Sequence, residues 1–220
     1  MAPRKTLVSF SSGKDSSWTL HVLQQDPEFE IVGLFSTLNR EFNRVSMHST
    51  RAHLLELQAA AAGLPLKTID LPFPCPNDRY GEIMSRFTQE IRDEGIECIA
   101  FGDLYLRDVR EYREKQLQDT GLQTVFPLWE IPTDQLADQM LEAGVEAYIS
   151  SVDLKKLPAD YAGRRWSRDL PDDVDPCGEN GEIHTIVVDG PMFQKRIDVE
   201  IGEVVERDGF AYADIVPSVT

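Results

Sequence analysis

Thr6-Leu7-Val8-Ser9-Phe10-Ser11-Ser12-Gly13-Lys14-Asp15-Ser16-Ser17-Trp18 passes from an apolar run through small polar residues into a helical pattern, with Trp18 and Val22 one turn apart. It reads as strand, tight loop and helix start. Ser11, Ser12 and Gly13 allow a sharp bend, so successive backbone N–H groups can converge at the positive end of the helix, where phosphate oxygens are favoured. Lys14 adds a point charge to that concavity and Ser16 a hydroxyl.

Three readings of the loop compete. A kinase-type loop needs G-x-x-x-x-G-K-[ST], but Val8 stands five residues before Gly13, and Asp15 stands where a magnesium-binding Ser or Thr belongs. An ordinary strand-to-helix turn with an Asp or Ser cap is common in any α/β protein; only Lys14 and Asp15 together speak against it. The third reading is the pyrophosphatase loop S-x-G-K-D-S. Residues 11–16 resemble it at each position, with Ser12 where that loop usually carries its first glycine.

A chain of 220 residues can bury a full core, as one large domain or as a domain with a smaller appendage. No apolar run is long enough to span a bilayer, and the first residues lead directly into a strand without a signal-peptide core, so a soluble, cytoplasmic protein is expected. Cys75, Cys98 and Cys177 are odd in number and lack C-x-x-C spacing, which argues against a disulfide framework or a zinc ribbon and for reduced thiols. The formal net charge of -16 disfavours a nucleic-acid partner. It does not disfavour ATP, which needs only a local positive pocket and metal ions.

Working outward from the loop, residues 30–36 form a second buried strand. In an open parallel sheet such strand ends line the ligand crevice, so the backbone near Ser36 and Leu38 is a candidate adenine contact, beside the plain reading of a connecting loop. Residues 46–62 repeat small and apolar side chains at helical spacing and stop at Gly63. His48 and Arg51 can meet near the first turn of that helix, although the spacing alone is better served by a core-edge histidine and a solvated arginine. Residues 64–71 alternate as a third strand. The proline-rich run 72–76 then delivers the chain to a helix with Asn77 as cap and Tyr80, Ile83, Met84 and Phe87 inward.

Strand four, 96–101, ends in Gly102-Asp103. The following helix is poor in apolar residues and repeats Arg107, Arg110 and Arg113 every three positions. A solvated face with i,i+4 pairs and an anion-facing role for Arg110 or Arg113 carry comparable weight. Residues 123–129 give a fifth strand. Past Trp129 the βα rhythm weakens, which divides the chain into a nucleotide-binding part at 1–128 and a smaller C-terminal part at 129–220. That second part holds a helix after Pro132, a strand at 145–152 and an irregular excursion with a short helix at 161–166. Gly178 and Gly181 bracket a tight loop around Glu179 and Asn180. In the next strand Glu182 and His184 alternate to one side and Thr185 to the other, a pair able to polarise a nucleophile or hold metal, or simply a half-buried polar face. Arg207-Asp208-Gly209 marks a closing hairpin.

Three features stand in order: the 11–16 loop, Gly102-Asp103 with its arginine-bearing helix, and Cys177-Gly178-Glu179-Asn180-Gly181-Glu182-Ile183-His184-Thr185 followed by Asp189-Gly190-Pro191. With them the chain resembles the diphthine-ammonia ligase family over nearly its whole length. The resemblance implies an N-type ATP pyrophosphatase fold: an α/β protein with a five-stranded parallel sheet in the order 3-2-1-4-5, flanked by helices, and a smaller C-terminal α+β part at the acceptor site. It also implies a ligase that adenylates a carboxylate, releases pyrophosphate, and lets ammonia displace AMP. Ser11, Ser12, Gly13, Lys14 and Ser16 would hold the β- and γ-phosphates, with Asp15 beside a Mg2+ ion. Gly102, Asp103 and Arg110 would border the nucleotide and acceptor, and Glu179, Glu182, His184 and Thr185 would shape the acceptor end. Joined to the candidates above, this gives Lys14, Asp15, Glu182 and His184 as catalytic residues, Ser36 and Leu38 as further nucleotide contacts, and His48, Arg51 and Arg113 as further acceptor contacts.

Expected partners are ATP, ammonia, a carboxylate acceptor and, as an open option, a second copy of the chain. Two departures bear on the acceptor. Ser12 replaces a glycine, and residues 102–114 read G-D-L-Y-L-R-D-V-R-E-Y-R-E, which looks more like a bacterial-type branch. The acceptor is therefore either protein-borne diphthine or a small carboxylate, as in relatives placed in corrinoid salvage. A nucleotide-sensing module would keep the phosphate loop but need no second polar loop, and a tRNA-modifying relative is disfavoured by the acidity. Lys14 is expected at a solvent-lined turn, where its truncation would spare the fold.

Overall fold

β1 (Arg4–Ser9) sits at the centre of a parallel sheet because both of its faces are covered. Thr6, Leu7 and Val8 are all buried, as a central parallel strand requires. The computed structural model describes residues 2–42, 44–45 and 50–218. β1 pairs in parallel with β2 (Phe29–Asn39) on one side and β5 (Cys98–Ala100) on the other. β4 (Leu66–Leu71) extends the sheet beyond β2, and β6 (Gln123–Val125) extends it beyond β5, again in parallel. The order β4-β2-β1-β5-β6 is the expected 3-2-1-4-5 arrangement. A short strand, β3 (Arg44–Val45), adds an antiparallel rung at Leu38 and Asn39.

That rung corrects one expectation. Val45 belongs to a strand, and the helix read over 46–62 begins only at Ala52: α2 is Ala52–Ala62, stopped by Gly63 at φ 69°. Arg51, extended at φ -62° and ψ 136°, is its flanking residue. His48 lies outside the described residues.

Alternation along β1 splits the core in two. Val8 joins the side packed by α1 (Lys14–Gln24) and α2, through residues such as Leu20, Leu54 and Leu55. Leu7 joins the other side, with Phe35, Ile99, Ile91 of α3 (Asn77–Asp93) and Leu117 of α4 (Arg107–Leu117). Both α3 and α4 are anchored by their C-terminal ends. Only Phe87, Thr88 and Ile91 of α3 and Leu117 of α4 are fully buried, while Tyr80 and Met84, expected inward, are half-buried. The N-terminal halves of the two helices thus stand off the sheet at its carboxyl edge. Asn77 is the first helical residue and makes no side-chain cap.

The C-terminal part contains α5 (Thr133–Glu142) and an antiparallel sheet of β7 (Glu146–Asp153), β8 (Ile183–Asp189), β9 (Val199–Arg207) and β10 (Phe210–Pro217), in the order β8-β7-β10-β9. The helix expected at 161–166 is absent. A single 3-10 turn, Ala159–Tyr161, is followed by a segment running along β7, where Gly163 and Trp166 donate to the carbonyls of Ile149 and Ala147 and Ile149 donates to Arg164. The backbone groups of 163–166 are satisfied by the sheet edge, and a helix there would forfeit those bonds. The closing hairpin turns at Asp208 and Gly209, with φ 53° and 83°, the two positive angles of a type I′ turn.

The two sheets meet at the phosphate loop. The Val187 N–H donates to the Ser12 carbonyl at 3.1 Å, and the buried Gln58 amide donates to both Ser12 (3.0 Å) and Val187 (2.7 Å) carbonyls. Buried residues of α1, α2, β7 and β8 share one continuous cluster. Among the described residues, no helix is long and apolar enough to cross a membrane.

Candidate active site

The loop after β1 is built by contacts from distant parts of the chain. Ser12 takes φ 76°, a left-handed conformation that suits glycine; its buried hydroxyl is 2.9 Å from that of Thr50. Ser16 accepts from the Ser11 N–H at 3.2 Å and donates back to the Gly13 carbonyl at 3.0 Å. Gly13 gives α1 no side-chain cap. The cap comes from β8, where Thr185 Oγ1 accepts from the Lys14 N–H at 3.1 Å. Past the end of β5, Gly102 lies directly on the first turn of α1. A Cβ there would come within 3.0 Å of the Asp15 carbonyl carbon and the Ser16 nitrogen. Any side chain there would push against the backbone of that turn.

These contacts enclose a cleft of about 190 Å³ that brings together the phosphate loop, Gly102-Asp103 and the Cys177-to-Thr185 segment. Lys14 is only 2% exposed, not at a solvent-lined turn. Its ammonium donates to Asp15 Oδ2 at 2.9 Å and to the Cys177 carbonyl, and lies 5.6 Å from the Trp166 ring centre. Burial opposes the charge, but Asp15 first, with Cys177 and Asp175, together outweigh it and hold the Lys14 ammonium above its usual range. Asp15 keeps Oδ1 buried without a hydrogen-bond partner.

Glu179 accepts from the Leu104 N–H at 2.8 Å and the Tyr105 N–H at 3.4 Å. Burial pushes its carboxyl up to about 7, with Asp15 and Asp103 adding to the rise against those two donors. His184 is held down at about 4 by burial and then by the Lys14 charge, so its ring is neutral at pH 7. Burial pushes the Cys177 thiol up to about 12, which keeps it protonated at neutral pH, and its sulfur donates to the Thr133 carbonyl at 3.4 Å. Glu182 is 5% exposed, accepts from the Asn180 amide at 3.0 Å and leaves Oε2 unpartnered. It does not line the cleft, whereas Glu179, His184 and Thr185 do.

A second cavity, of about 650 Å³, adjoins the first and shares Ser9, Ser11, Phe101 and Arg113 with it. It opens over the ends of β1 and β2, where Ser36 lines it; Leu38 is buried in the strand pairing below and does not. Arg113 stands where the cavities meet, clamped by Asp103 at 2.6 and 3.2 Å and stacked 4.5 Å over Phe101. Arg110 faces away, between Phe126 and Trp129 and paired with Glu114 at 2.8 Å. Arg51 is bound to Asp214 of β10 at 2.6 and 2.9 Å, so neither arginine lines either cavity.

Sequence reading passed over Tyr105 and Asp175. The Tyr105 hydroxyl donates to Asp175 Oδ2 and the Cys177 N–H to Asp175 Oδ1, each at 2.7 Å, which ties the Glu179 loop to the end of β5. The Asp-Pro pair at 175–176 ahead of a Gly-rich loop was the available signal.

Among the described residues there is no group of three or more His, Cys, Asp or Glu side chains able to hold a metal by themselves. A magnesium ion on a nucleotide needs only one or two carboxylates besides phosphate oxygens and water. The unpartnered Asp15 Oδ1 fits that requirement.

The fold and loop define an α/β protein of the pyrophosphatase-loop class: a 3-2-1-4-5 parallel sheet with an S-S-G-K-D-S turn at the carboxyl edge of its first strand. A model of the diphthamide synthase N-terminal domain matches residues 4–124, and one of the diphthamide synthase C-terminal domain matches residues 132–216. The chain belongs to the diphthamide synthase family. Similar proteins include the diphthine-ammonia ligase of Bos taurus, 27% identical over 183 residues, covering 74% of this chain and 68% of that protein. That of Rattus norvegicus is 26% identical over 233 residues, covering 93% and 86%. That of Schizosaccharomyces pombe is 29% identical over 120 residues, which is 51% of this chain and 20% of the yeast protein. The chain is thus an enzyme of the ligase type.

Proposed function

We propose that the protein is an ATP-dependent carboxylate-ammonia ligase that forms AMP. The observation that carries the reading is the meeting of an anion-binding turn and a carboxyl with a near-neutral pKa in one small cleft. In this reading residues 1–128 hold the nucleotide, with the backbone of Ser11 to Gly13, the Lys14 ammonium and the Ser16 hydroxyl at the β- and γ-phosphates. Asp15 would hold Mg2+, which neutralises phosphate charge when bound. Adenosine enters the larger cavity over Ser36.

An acceptor carboxylate oxygen forms a bond to the α-phosphorus as the bond to pyrophosphate breaks. Ammonia nitrogen then attacks the acyl carbon, and the C–O bond to AMP breaks. Ammonium must lose a proton before it can attack, and Glu179, ionising near 7, is matched to that transfer. His184 stays neutral and acts as a hydrogen-bonding wall. The 129–220 part supplies this end of the site and excludes water, which would hydrolyse the adenylate. The relatives' name supports diphthine as acceptor; a small carboxylate is the other form of the same chemistry.

The test is to incubate the protein with MgATP, ammonium and candidate carboxylates and to separate the nucleotides. AMP with pyrophosphate is expected. ADP with phosphate would mean cleavage at the γ-phosphorus and would overturn the reading.

A further inference from the structure

The larger cavity reaches beyond the strand ends into the gap between α3 and the second half of α4, and three features of that gap bear on what occupies it. None of the described residues lining the cavity is Asp or Glu, in a chain with 38 acidic residues. Its walls offer flat and deformable apolar surface: Tyr80 and Met84 from α3, Tyr112 from α4 and Phe101 at the base. The third feature is Gly81.

This glycine lies inside α3, where it costs about 0.5–1 kcal/mol relative to alanine. Glycine inside a helix is commonly explained by crowding or by a positive φ. Here a Cβ would meet nothing within 4 Å. Packing does not demand glycine at this position, yet it lines the cavity. Its absent side chain keeps one wall of the gap low.

At the inner end of the gap stands Arg113, which lines both cavities. Asp103 holds its Nε and Nη2, so the guanidinium is fixed in place, and among the described residues no side chain bonds Nη1. A rigid cation at the junction, and a corridor leading away from it that joins aromatic and thioether surface to neutral polar groups such as Ser85, Thr88 and Gln116 with no acid among the described residues, together describe a receptor for a carboxylate on a ring.

We propose that the α3–α4 gap is the acceptor site, taking a carboxylate carried on a flat apolar or aromatic body. The ring lies between Tyr80, Met84 and Tyr112, and the carboxylate rests against Arg113, facing the phosphate cleft. The inference rests on the ligase reading and places the body of the acceptor on the N-terminal part of the chain, leaving the Glu179 loop to the ammonia end.

The probe is 8-anilinonaphthalene-1-sulfonate, whose sulfonate stands in for the carboxylate, titrated by fluorescence onto protein saturated with Mg2+ and a non-hydrolysable α,β-methylene analogue of ATP. Gly81→Leu fills the gap, with Gly81→Ala as a milder companion; both remove a helix glycine into open space, so thermal melting is expected to rise, which excludes misfolding. Dye affinity is expected to fall by about tenfold in Gly81→Leu, with affinity for the nucleotide analogue unchanged. Undiminished dye binding overturns the proposal, as does loss of nucleotide affinity, which would make the gap part of the ATP site.

Two displacing agents separate the sources of the ring. Displacement by free indole-3-acetate marks a small acid; displacement only by a tryptophan-terminated pentapeptide marks a group on a polypeptide; displacement by neither refutes the assignment. If the analogue itself fails to bind the unmodified protein, the ATP reading falls and this one with it. If it binds but the dye ignores Gly81→Leu, only the gap is lost.

Discussion

Glu179→Gln separates what the Glu179 charge does to the fold from what it does to the reaction. The carboxyl releases its proton near 7 in the folded protein, against an ordinary value of 4.5. Below that ordinary value both folded and unfolded chains keep the proton, and the group contributes nothing to pH dependence. Between about 4.5 and 7 the unfolded chain has lost the proton while the folded chain retains it, so raising the pH favours unfolding. Above 7 both are ionised and the full penalty is present. At about 1.4 kcal/mol per pH unit the window is worth roughly 3 kcal/mol, and about 1.5 kcal/mol if solvent screens half of it. Glutamine keeps the carbonyl that accepts from Leu104 and Tyr105 and carries no charge. The variant is therefore expected to lie within about 1 kcal/mol of the parent at pH 5 and to exceed it by about 1.5–3 kcal/mol at pH 8, a rise in melting temperature of roughly 3–10 °C. Melts at both pH values, with turnover measured alongside, read the two effects together. Turnover at pH 8 should fall by about 10²–10⁴, and the rise of parental activity through pH 7 should vanish. An equal stability difference at pH 5 and pH 8 would show that Glu179 ionises normally. Retained turnover with an unchanged pH profile would remove it from the reaction.

Lys14→Met is expected to abolish turnover and to lower stability by about 2–4 kcal/mol in urea melts, because Asp15 is left facing the site without its counter-ion. Lys14→Met with Asp15→Asn should recover most of the stability and none of the activity. Ser12→Gly relieves a left-handed serine and loses its bond to Thr50, two effects of about 1 kcal/mol each and opposite sign, so its melt should nearly match the parent; Ser12→Ala keeps the strain, loses the bond and should cost about 1–2 kcal/mol. Arg51→Ala should leave KM for ATP unchanged and cost about 0.5–1 kcal/mol, less at high salt, because the guanidinium serves a half-exposed ion pair with Asp214.

Sheet order was legible because the signals that set it are local. Apolar runs at β1, β2, β4 and β5, separated by helical periods, permit few parallel topologies once crossovers are right-handed. The helix read at 161–166 failed for the opposite reason. Its residues have helical spacing, but their backbone partners belong to β7, which no local window contains. Burial of Lys14 was hidden in the same way: Cys177 and Trp166, which enclose it, are more than 150 residues away in sequence. Arg107, Arg110 and Arg113 share one spacing and three fates. Arg107 is exposed on the surface, Arg110 is wedged between rings from the β6 region, and only Arg113 reaches the cavities. Spacing places side chains on a helix face; the strand ends beneath decide which of them meets a ligand.

The same geometry bears on how, in the proposed reading, a chain of net charge -16 would hold a triphosphate. The two strong cations lining the cavities are each matched by a neighbouring carboxylate, Lys14 by Asp15 and Arg113 by Asp103, so side-chain charge alone leaves the cleft near neutral. In that reading attraction for phosphate would come from the positive end of α1 and from a metal ion accompanying the nucleotide. Pairing also fixes both cations before the ligand arrives, so little side-chain entropy is lost on binding. A long-range positive field would be a poor device here, since the surrounding acidic surface would cancel it beyond about 8 Å at physiological ionic strength. Recognition in the proposed reading would therefore be confined to the distance at which backbone dipoles and a bound cation act, which is the scale of the cleft between Gly13 and Glu179.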